Sequence, residues 1–411
     1  MKILLLGYGK EGRAVNDYFK SHDKNIMVDI LEDFNPTELK QRDYSQYDII
    51  FRSPSVPPLG LKNESSVTKY FFEHCPCKII GVTATKGKGT TCSFIKSLLD
   101  VHKEDAFLVG NIGEPAINIL DELKPTSVVV YEMSSFQLWD LEQSPHVAVI
   151  GTIEPDHLNV HKDYAEYKSA KANICRYQTE QDYCIYYKEN PESVELASAT
   201  TKSRKLPYPF PVSDDIKNAV KLPGEHNLKN AIAAIAAVSC YYNISPDEYL
   251  KRYKNEAMKG LSSFKGLPHR LEFIRELDGI KYYDDNFSTN PASTRVAIEA
   301  FPGETVIPII GGLDKTDYED LPEIYEILNT KKVHIPTVIL MGQSGHELAK
   351  RYQDDRFVLV DSLESAVKNA TLAAKDFKDS IVLMSPSAAS FDMFKNVYDR
   401  GDQYQGIVKN F

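Results

Sequence analysis

Continuous apolar runs alternate with stretches of helical period along the whole chain, and this alternation limits the fold more than any other feature. KILLLG (2–7), IMVDIL (26–31) and YDIIFRS (47–53) come first. KIIGVT (78–83), AFLVG (106–110), TSVVVYEM (126–133), VAVIGTI (147–153) and CIYY (184–187) follow. KYYDD (281–285), TVIPIIGG (305–312), TVILMG (337–342), FVLVDS (357–362) and SIVLMSPS (380–387) complete the series. A run that is apolar at every position must be covered on both faces, as happens in a mostly parallel sheet with helices above and below it. The intervening stretches, among them RAVNDYFK (13–20), TTCSFIKSLLD (90–100), DYAEYKSAKANICRY (163–177) and HNLKNAIAAIAAVSCYY (226–242), have the period of helices. The expected class is therefore α/β, with three domains at 1–77, 78–267 and 268–411, each a mostly parallel sheet with helices. A length of 411 residues suits that number. KLPYPFP (205–211) is expected as a loop or an edge strand.

Charge and cysteine usage exclude several function classes. The net charge of −10 lacks the basic footprint of a nucleic-acid binder. No apolar stretch reaches the ~18 residues that a spanning helix needs, and the N-terminal run is too short for a signal peptide. The expected setting is the cytoplasm, without membrane insertion. Six cysteines are scattered, and only Cys75 and Cys77 are close. A C-x-C without a second pair is a weak metal signal, so free thiols in a reducing compartment are expected.

Three local patterns carry chemistry. GVTATKGKGTT lies between a strand and a helix. Gly87 there lets backbone approach a phosphate, Lys88 reaches terminal phosphates, and the following helix presents free N–H groups. The flanking Thr85, Lys86, Gly89 and Thr90 complete the candidate nucleotide loop. It departs from the strict phosphate-loop pattern, with Val82 in place of the first glycine and Gly89 in place of the metal-binding hydroxyl. Glu132 ends an apolar strand, where α/β sheets place ligand-binding groups, and His157 follows another. Read alone, these are a strand-end carboxylate and a structural histidine, and Lys171 on its helix is a surface lysine. At the N-terminus Gly7, Gly9 and Gly12 form GYGKEG after a strand, the dinucleotide fingerprint, with Glu32 or Asp33 about 20 positions later. A tight turn or an NAD site fits that pattern as well.

The loop is similar to the T-G-T-N-G-K-[ST]-T loop of the Mur ligases and their folylpolyglutamate synthase relatives, with Ala84, Lys86 and Gly89 as departures. GNIGEP (110–115), YEMSSFQL (131–138), EPDHLNVHKDYAEYKSAK (154–171), LPGEHNLKNAIAA (222–234), GLPHRLEF (266–273), YYDDNFSTNPAST (282–294), IIGGLDK (309–315) and SPSAASFDMFKNVYDRGDQY (385–404) follow in that family's order. The resemblance runs from about Ile3 to Tyr404, and its Ser-Ser-Phe-Gln-Leu and last motifs look like the D-glutamate-adding branch. It implies a Rossmann-like first domain binding a UDP precursor, a central phosphate-loop ATPase domain, and a Rossmann-like third domain binding the amino acid.

The resemblance also implies residue roles. Lys88, His157 and Lys171 are implied as catalytic. Thr85, Lys86, Gly87, Lys88, Gly89, Thr90, Asn227, Asn230, Arg270 and Asp285 are implied at ATP. Asn227 and Asn230 share one helix face and suit the adenine and ribose side. Phe287 stands where the family usually has a lysine. Gly9, Lys10, Glu11, Glu32, Asp33, Ser53, Asn111, Ser135 and Gln137 are implied at the UDP precursor, with Ser55 replacing a family glycine beside Ser53. Lys315, Ser390 and Phe391 are implied at D-glutamate. Thr90, Glu132, His157 and a carbamylated Lys171 are implied as holders of two magnesium ions. The implied partners are UDP-N-acetylmuramoyl-L-alanine and D-glutamate, with no nucleic acid, and a monomer is expected.

Three other readings compete. A folylpolyglutamate synthase shares the Lys-Gly-Thr loop, yet about 75 residues of βαβ precede the loop here. An NAD-dependent oxidoreductase leaves the phosphate loop unexplained. A non-catalytic nucleotide-binding module is favoured only by Gly89 and Phe287. Gly89 also raises the question of which hydroxyl meets magnesium. Adjacent helical residues are rotated by about 100°, so Thr90 and Thr91 do not both face one ion. Thr90→Ala is expected to raise the magnesium requirement strongly and Thr91→Ala to change it little. The reverse pattern in a magnesium titration would shift the register of the loop by one residue.

Overall fold

The computed structural model describes residues 1–32, 39, 41–111 and 113–411. They form two compact units. The first comprises Met1–Val220 and Leu228–Phe264, the second Lys221–Asn227 and Lys265–Phe411.

The first unit holds two all-parallel sheets. β1 (Lys2–Leu6), β2 (Met27–Leu31), β3 (Ile49–Arg52) and the short β4 (Glu64–Ser65) lie in the order β2-β1-β3-β4. β5 (Lys78–Thr83), β6 (Ala106–Gly110), β7 (Val128–Glu132), β8 (Val147–Ile150), β9 (Tyr183–Tyr187) and β10 (Arg204–Tyr208) lie in the order β10-β9-β8-β5-β7-β6. The predicted apolar runs are the strands of these sheets. Tyr131, Val129 and Ala148 are fully buried, as runs covered on both faces must be. KLPYPFP forms edge strand β10 at its start. Val82 is opposite Glu132, and Thr83 is opposite Ile150. This register sets the carboxyl ends of β7, β5 and β8 side by side, where α/β sheets bind ligands.

Helix starts follow from local chemistry. Asp163 accepts from Glu166 N at 2.8 Å and opens the helix Tyr164–Arg176. The helix Lys88–Val101 instead starts at Gly87, whose φ of +83° is a left-handed backbone that favours glycine. At Gly12, in the helix Lys10–His22, an added Cβ would lie 2.4 Å from Gly7 O, so the tight turn after β1 admits no side chain there.

Arg52 ties the first sheet to the loop after β7. Its guanidinium is buried and bonds Glu64 Oε1 at 3.1 Å, Val56 O at 2.6 Å and Asp140 Oδ1 at 2.6 Å. A buried cation is tolerated only when paired in this way.

The second unit has one six-stranded sheet. β11 (Glu272–Leu277), β12 (Ile280–Asp284), β13 (Val306–Ile310), β14 (Val338–Leu340), β15 (Phe357–Leu359) and β16 (Ile381–Met384) lie in the order β11-β12-β16-β13-β14-β15. Only the β11–β12 pair is antiparallel. Asp278 and Gly279, both at positive φ, make its two-residue turn. Below the loop after β16, Arg400 is fully buried and donates to Asn286 Oδ1, Asn286 O, Ala388 O and Ala389 O.

Candidate functional site

The phosphate loop gathers two lysines on one carbonyl. Lys88 Nζ donates to Ala84 O at 2.9 Å and to Thr85 O at 3.2 Å. Lys171 Nζ donates to the same Ala84 O at 2.9 Å and to Thr83 Oγ1 at 3.2 Å. Lys171 is only 2% exposed, so it is no surface lysine. Burial pushes its amine well below the usual lysine range, and the Lys88 cation pushes the same way against the pull of Asp156 and Glu132. The Tyr167 ring, 4.9 Å from the Lys171 nitrogen, helps to enclose it. Tyr167 Oη also meets Thr85 Oγ1 at 2.8 Å and so fixes the start of the loop.

Other predicted residues lie around this centre. Glu132 is buried at the end of β7, and Asn111 Nδ2 reaches its Oε1 at 3.4 Å. An added Cβ on Gly87 would lie 2.8 Å from Asn230 Oδ1, so Asn230 stands against the loop. Lys86 is exposed and pairs with Glu154 at 3.3 Å. Thr90 is half-buried whereas Gly89 and Thr91 are buried, so of the two threonines Thr90 is the more open. His157 has a φ of +53°, is half exposed, and stands beside Asp156 and the Phe136 ring. Phe136 also stacks on His161, whose Nε2 lies 2.9 Å from Ser135 Oγ.

The N-terminal glycine loop meets the Ser-Ser-Phe-Gln-Leu segment. Gln137 Nε2 donates to Glu11 Oε1 at 3.0 Å, and its other amide atom caps its own helix by accepting from Ser134 N. Glu11 Oε2 is buried without a hydrogen-bond partner, and burial raises the carboxyl pKa against the opposing effect of Gln137, Arg52 and Lys10. Lys10 Nζ donates to Gly113 O at 2.5 Å. Gly9 is exposed at the helix start, and an added Cβ on Gly7 would lie 2.6 Å from Ser53 Oγ. Glu32 is exposed just after β2. Asp33 lies outside the described residues.

In the second unit, the loops after β13 and β16 pair through Leu313 N to Ala389 O at 2.8 Å. Lys315 is exposed and lines a small pocket with Thr289, Asp314, Ser344 and Ser387. Ser390 is buried and its carbonyl accepts from Phe394 N, while Phe391 is 64% exposed, and neither lines that pocket. Arg270 is exposed, with its cation 5.1 Å from the Phe287 ring. Asn227 donates to Pro223 O at 2.7 Å. Asp285 is buried and accepts from Leu271 N, Ser288 Oγ and Ser385 Oγ. Among the described residues, the His/Cys/Asp/Glu set that converges most closely is His269, Glu272 and Asp284, with ligand atoms within 4.8 Å. His269 and Asp284 already bond each other at 2.7 Å, and Gln405 donates to both carboxylates.

Sequence reasoning missed Tyr167, Arg52 and Arg400. Each is buried and acts by holding a neighbour, and nothing in a one-dimensional pattern marks a buried arginine. Asp163, three residues before Glu166, is a readable helix start and would have fixed the phase of the helix that carries both Tyr167 and Lys171.

Known proteins share this architecture. The Mur ligase middle-domain profile matches residues 82–210, and the Mur ligase, glutamate ligase domain profile matches 269–388. The UDP-N-acetylmuramoylalanine–D-glutamate ligase of Clostridium botulinum (strain Kyoto / Type A2) is 32% identical over 398 residues, covering 88% of this chain and 82% of the relative. The enzyme of the same name from Acetivibrio thermocellus is 32% identical over 468 residues, covering 100% of this chain and 96% of the relative. Among solved structures, the MurF ligase of Thermotoga maritima in complex with ADP has a TM-score of 0.59 at 17% identity, covering 89% of this chain and 90% of that one. FolC of E. coli in complex with DHPP and ADP has a TM-score of 0.56 at 16% identity, covering 84% of this chain and 92% of that one, a likeness of fold alone.

Asp285 offers a pH test. Burial pushes its carboxyl up from 3.8 to about 7, against the hydrogen bonds from Ser288 and Ser385. The folded value exceeds the unfolded one, so the stabilisation is complete below about pH 4 and is lost as pH rises through about 7. Asp285→Asn is expected to flatten the stability profile across that window in urea unfolding. An unchanged slope would show that Asp285 holds no extra proton.

Proposed function

The chain belongs to the Mur ligase family, and from that premise we propose how its residues carry the reaction. It is an ATP-dependent amide-forming ligase that adds D-glutamate to UDP-N-acetylmuramoyl-L-alanine in peptidoglycan precursor synthesis. The observation that carries the residue assignment is the meeting of Lys88 and Lys171 at Ala84 O.

In the proposed first step, a carboxylate oxygen of the alanyl group attacks the γ-phosphorus of ATP, and ADP leaves with its oxygen. In the second step the D-glutamate amine attacks the acyl phosphate carbon, phosphate leaves, and the amine loses its proton. Phosphoryl transfer depends on positioning and charge neutralisation. Lys88 is proposed to supply charge to the phosphate oxygens. The helix start after Gly87 supplies N–H donors.

Thr90 and Glu132 are hard oxygen donors at neighbouring strand and helix ends, which suits magnesium. With His157 and a carbamylated Lys171 they would hold two ions, whose charge neutralises phosphate oxygens. Lys171 is proposed to be carbamylated because its buried amine favours the neutral form, the form that adds carbon dioxide. That addition gives a carbamate and releases one proton.

Gly9, Lys10, Glu11, Ser53, Asn111, Ser135 and Gln137 are proposed to line the UDP precursor. The contact between Glu11 and Gln137 supports a common site for the glycine loop and the Ser-Ser-Phe-Gln-Leu segment. Thr85, Lys86, Gly89, Asn227, Asn230, Arg270 and Asp285 keep the ATP roles that the resemblance gives them, and Glu32 and Asp33 keep theirs toward the UDP precursor. Lys315, Ser390 and Phe391 keep theirs toward D-glutamate. These roles follow a division into domains at 1–77, 78–267 and 268–411. We place the enzyme in the cytoplasm as a monomer that binds no nucleic acid. The charge of −10 fits a protein that binds no nucleic acid, and among the described residues no helix is long and apolar enough to cross a membrane.

ADP and phosphate are expected to form only when both the UDP precursor and D-glutamate are present. Equal turnover with L-glutamate or with a folate acceptor contradicts the proposal. Lys88→Ala is expected to lose ~10²–10³ in rate, the usual effect of removing one preorganised charge. Near-normal turnover of that variant would place ATP elsewhere.

A further inference from the structure

The connector between the helix Val67–His74 and β5 carries Cys75-Pro76-Cys77, which has no part in the ligase reaction. Cys75 has an extended backbone (φ −67°, ψ 119°), and residues two apart in an extended segment point the same way. The two sulfurs lie 3.6 Å apart. Both residues are half-buried, whereas Cys92, Cys175, Cys184 and Cys240 are buried. Cys75 and Cys77 open onto a surface depression of about 390 Å³ that Phe72, His146 and Asp182 also line, which gives a small molecule access to the thiols. The two thiols are not equivalent. The hydrogen bond between them lowers the pKa of Cys75 and raises that of Cys77, and burial adds to the rise at Cys77.

We propose that Cys75 and Cys77 are a redox-active dithiol that closes to an intramolecular disulfide by exchange with a small disulfide of the glutathione type. In the first exchange the Cys75 sulfur attacks one sulfur of oxidised glutathione. A mixed disulfide forms and one glutathione thiol leaves with the proton. In the second, the Cys77 sulfur attacks the Cys75 sulfur of that mixed disulfide and expels the second glutathione thiol. Two hydrogens leave the protein and one glutathione disulfide becomes two thiols, so atoms and electrons balance. Closing the sulfur separation to the ~2.05 Å of a disulfide needs side-chain rotation of the kind an exposed connector permits. The second exchange is intramolecular, with its nucleophile already in contact, so the mixed disulfide does not accumulate. The lower pKa of Cys75 matches its role as the attacking group, because the thiolate is the nucleophile.

The test is peptide mapping of the full-length protein after incubation with mixtures of reduced and oxidised glutathione and an acid quench. The peptide spanning Cys75 and Cys77 is expected to lose two hydrogens and carry no glutathione, while the four buried cysteines stay unmodified. Cys77→Ser is expected to trap a stable glutathione adduct on Cys75. A lasting adduct on the wild-type pair, or both thiols still reduced when glutathione is fully oxidised, would overturn the proposal. An adduct trapped on Cys77 in Cys75→Ser, with none on Cys75 in Cys77→Ser, would overturn the assignment of Cys75 as attacker.

Discussion

A single backbone carbonyl, Ala84 O, receives two lysine ammonium groups, and the rest of the centre is arranged around that crowding. Each nitrogen lies 2.9 Å from the oxygen. Two like charges sharing one oxygen are less than ~6 Å apart and repel by at least about 3 kcal/mol at an effective dielectric of 20. Desolvating an unpaired charge adds several kcal/mol more. Lys171 bears that cost because it is buried and has no ion-pair partner among the described residues, so its neutral amine is favoured. Lys88 has more access to solvent than Lys171. A neutral buried amine beside a phosphate-type loop suits conversion to an anionic ligand.

The supports of this centre come from elements far apart in sequence. Tyr167 covers Lys171 and bonds Thr85, so the helix that carries Lys171 also positions the loop that Lys171 touches. Arg52 joins β3 to Asp140 after β7, and Glu11 joins the first glycine loop to Gln137. The two sheets of the first unit thus meet through buried charge as well as through apolar packing. The Arg52 charge is satisfied by its partners, whereas burial raises the pKa of the Glu11 carboxyl.

The sheets were legible because parallel strands buried on both faces are continuous apolar words, as in KILLLG and SVVVYE. β4, with two residues, is too short for any pattern to mark. β11 (EFIREL) mixes polar and apolar residues without strict alternation, and its register shifts between Phe273 and Arg275, but the Asp278-Gly279 turn that creates its hairpin is a readable signal. The strand, loop and helix that carry Gly87 and Lys88 were legible from an apolar run followed by glycines and a helical period. The burial of Lys171 was not, since YAEYKSAKANI reads equally well as a surface helix. Its environment depends on residues 83, 84 and 88, which the chain brings near only by folding. Cys75 and Cys77 were legible as a pair, but their sulfur contact was not.

The central claim is that the buried Lys171 amine is the precursor of a carboxylate at the phosphate loop. Turnover of Lys171→Ala in the absence and presence of small carboxylates such as acetate measures it most directly. The claim predicts a nearly inactive variant whose turnover is partly restored as acetate fills the vacated place. Full activity of Lys171→Ala without any added carboxylate would contradict it.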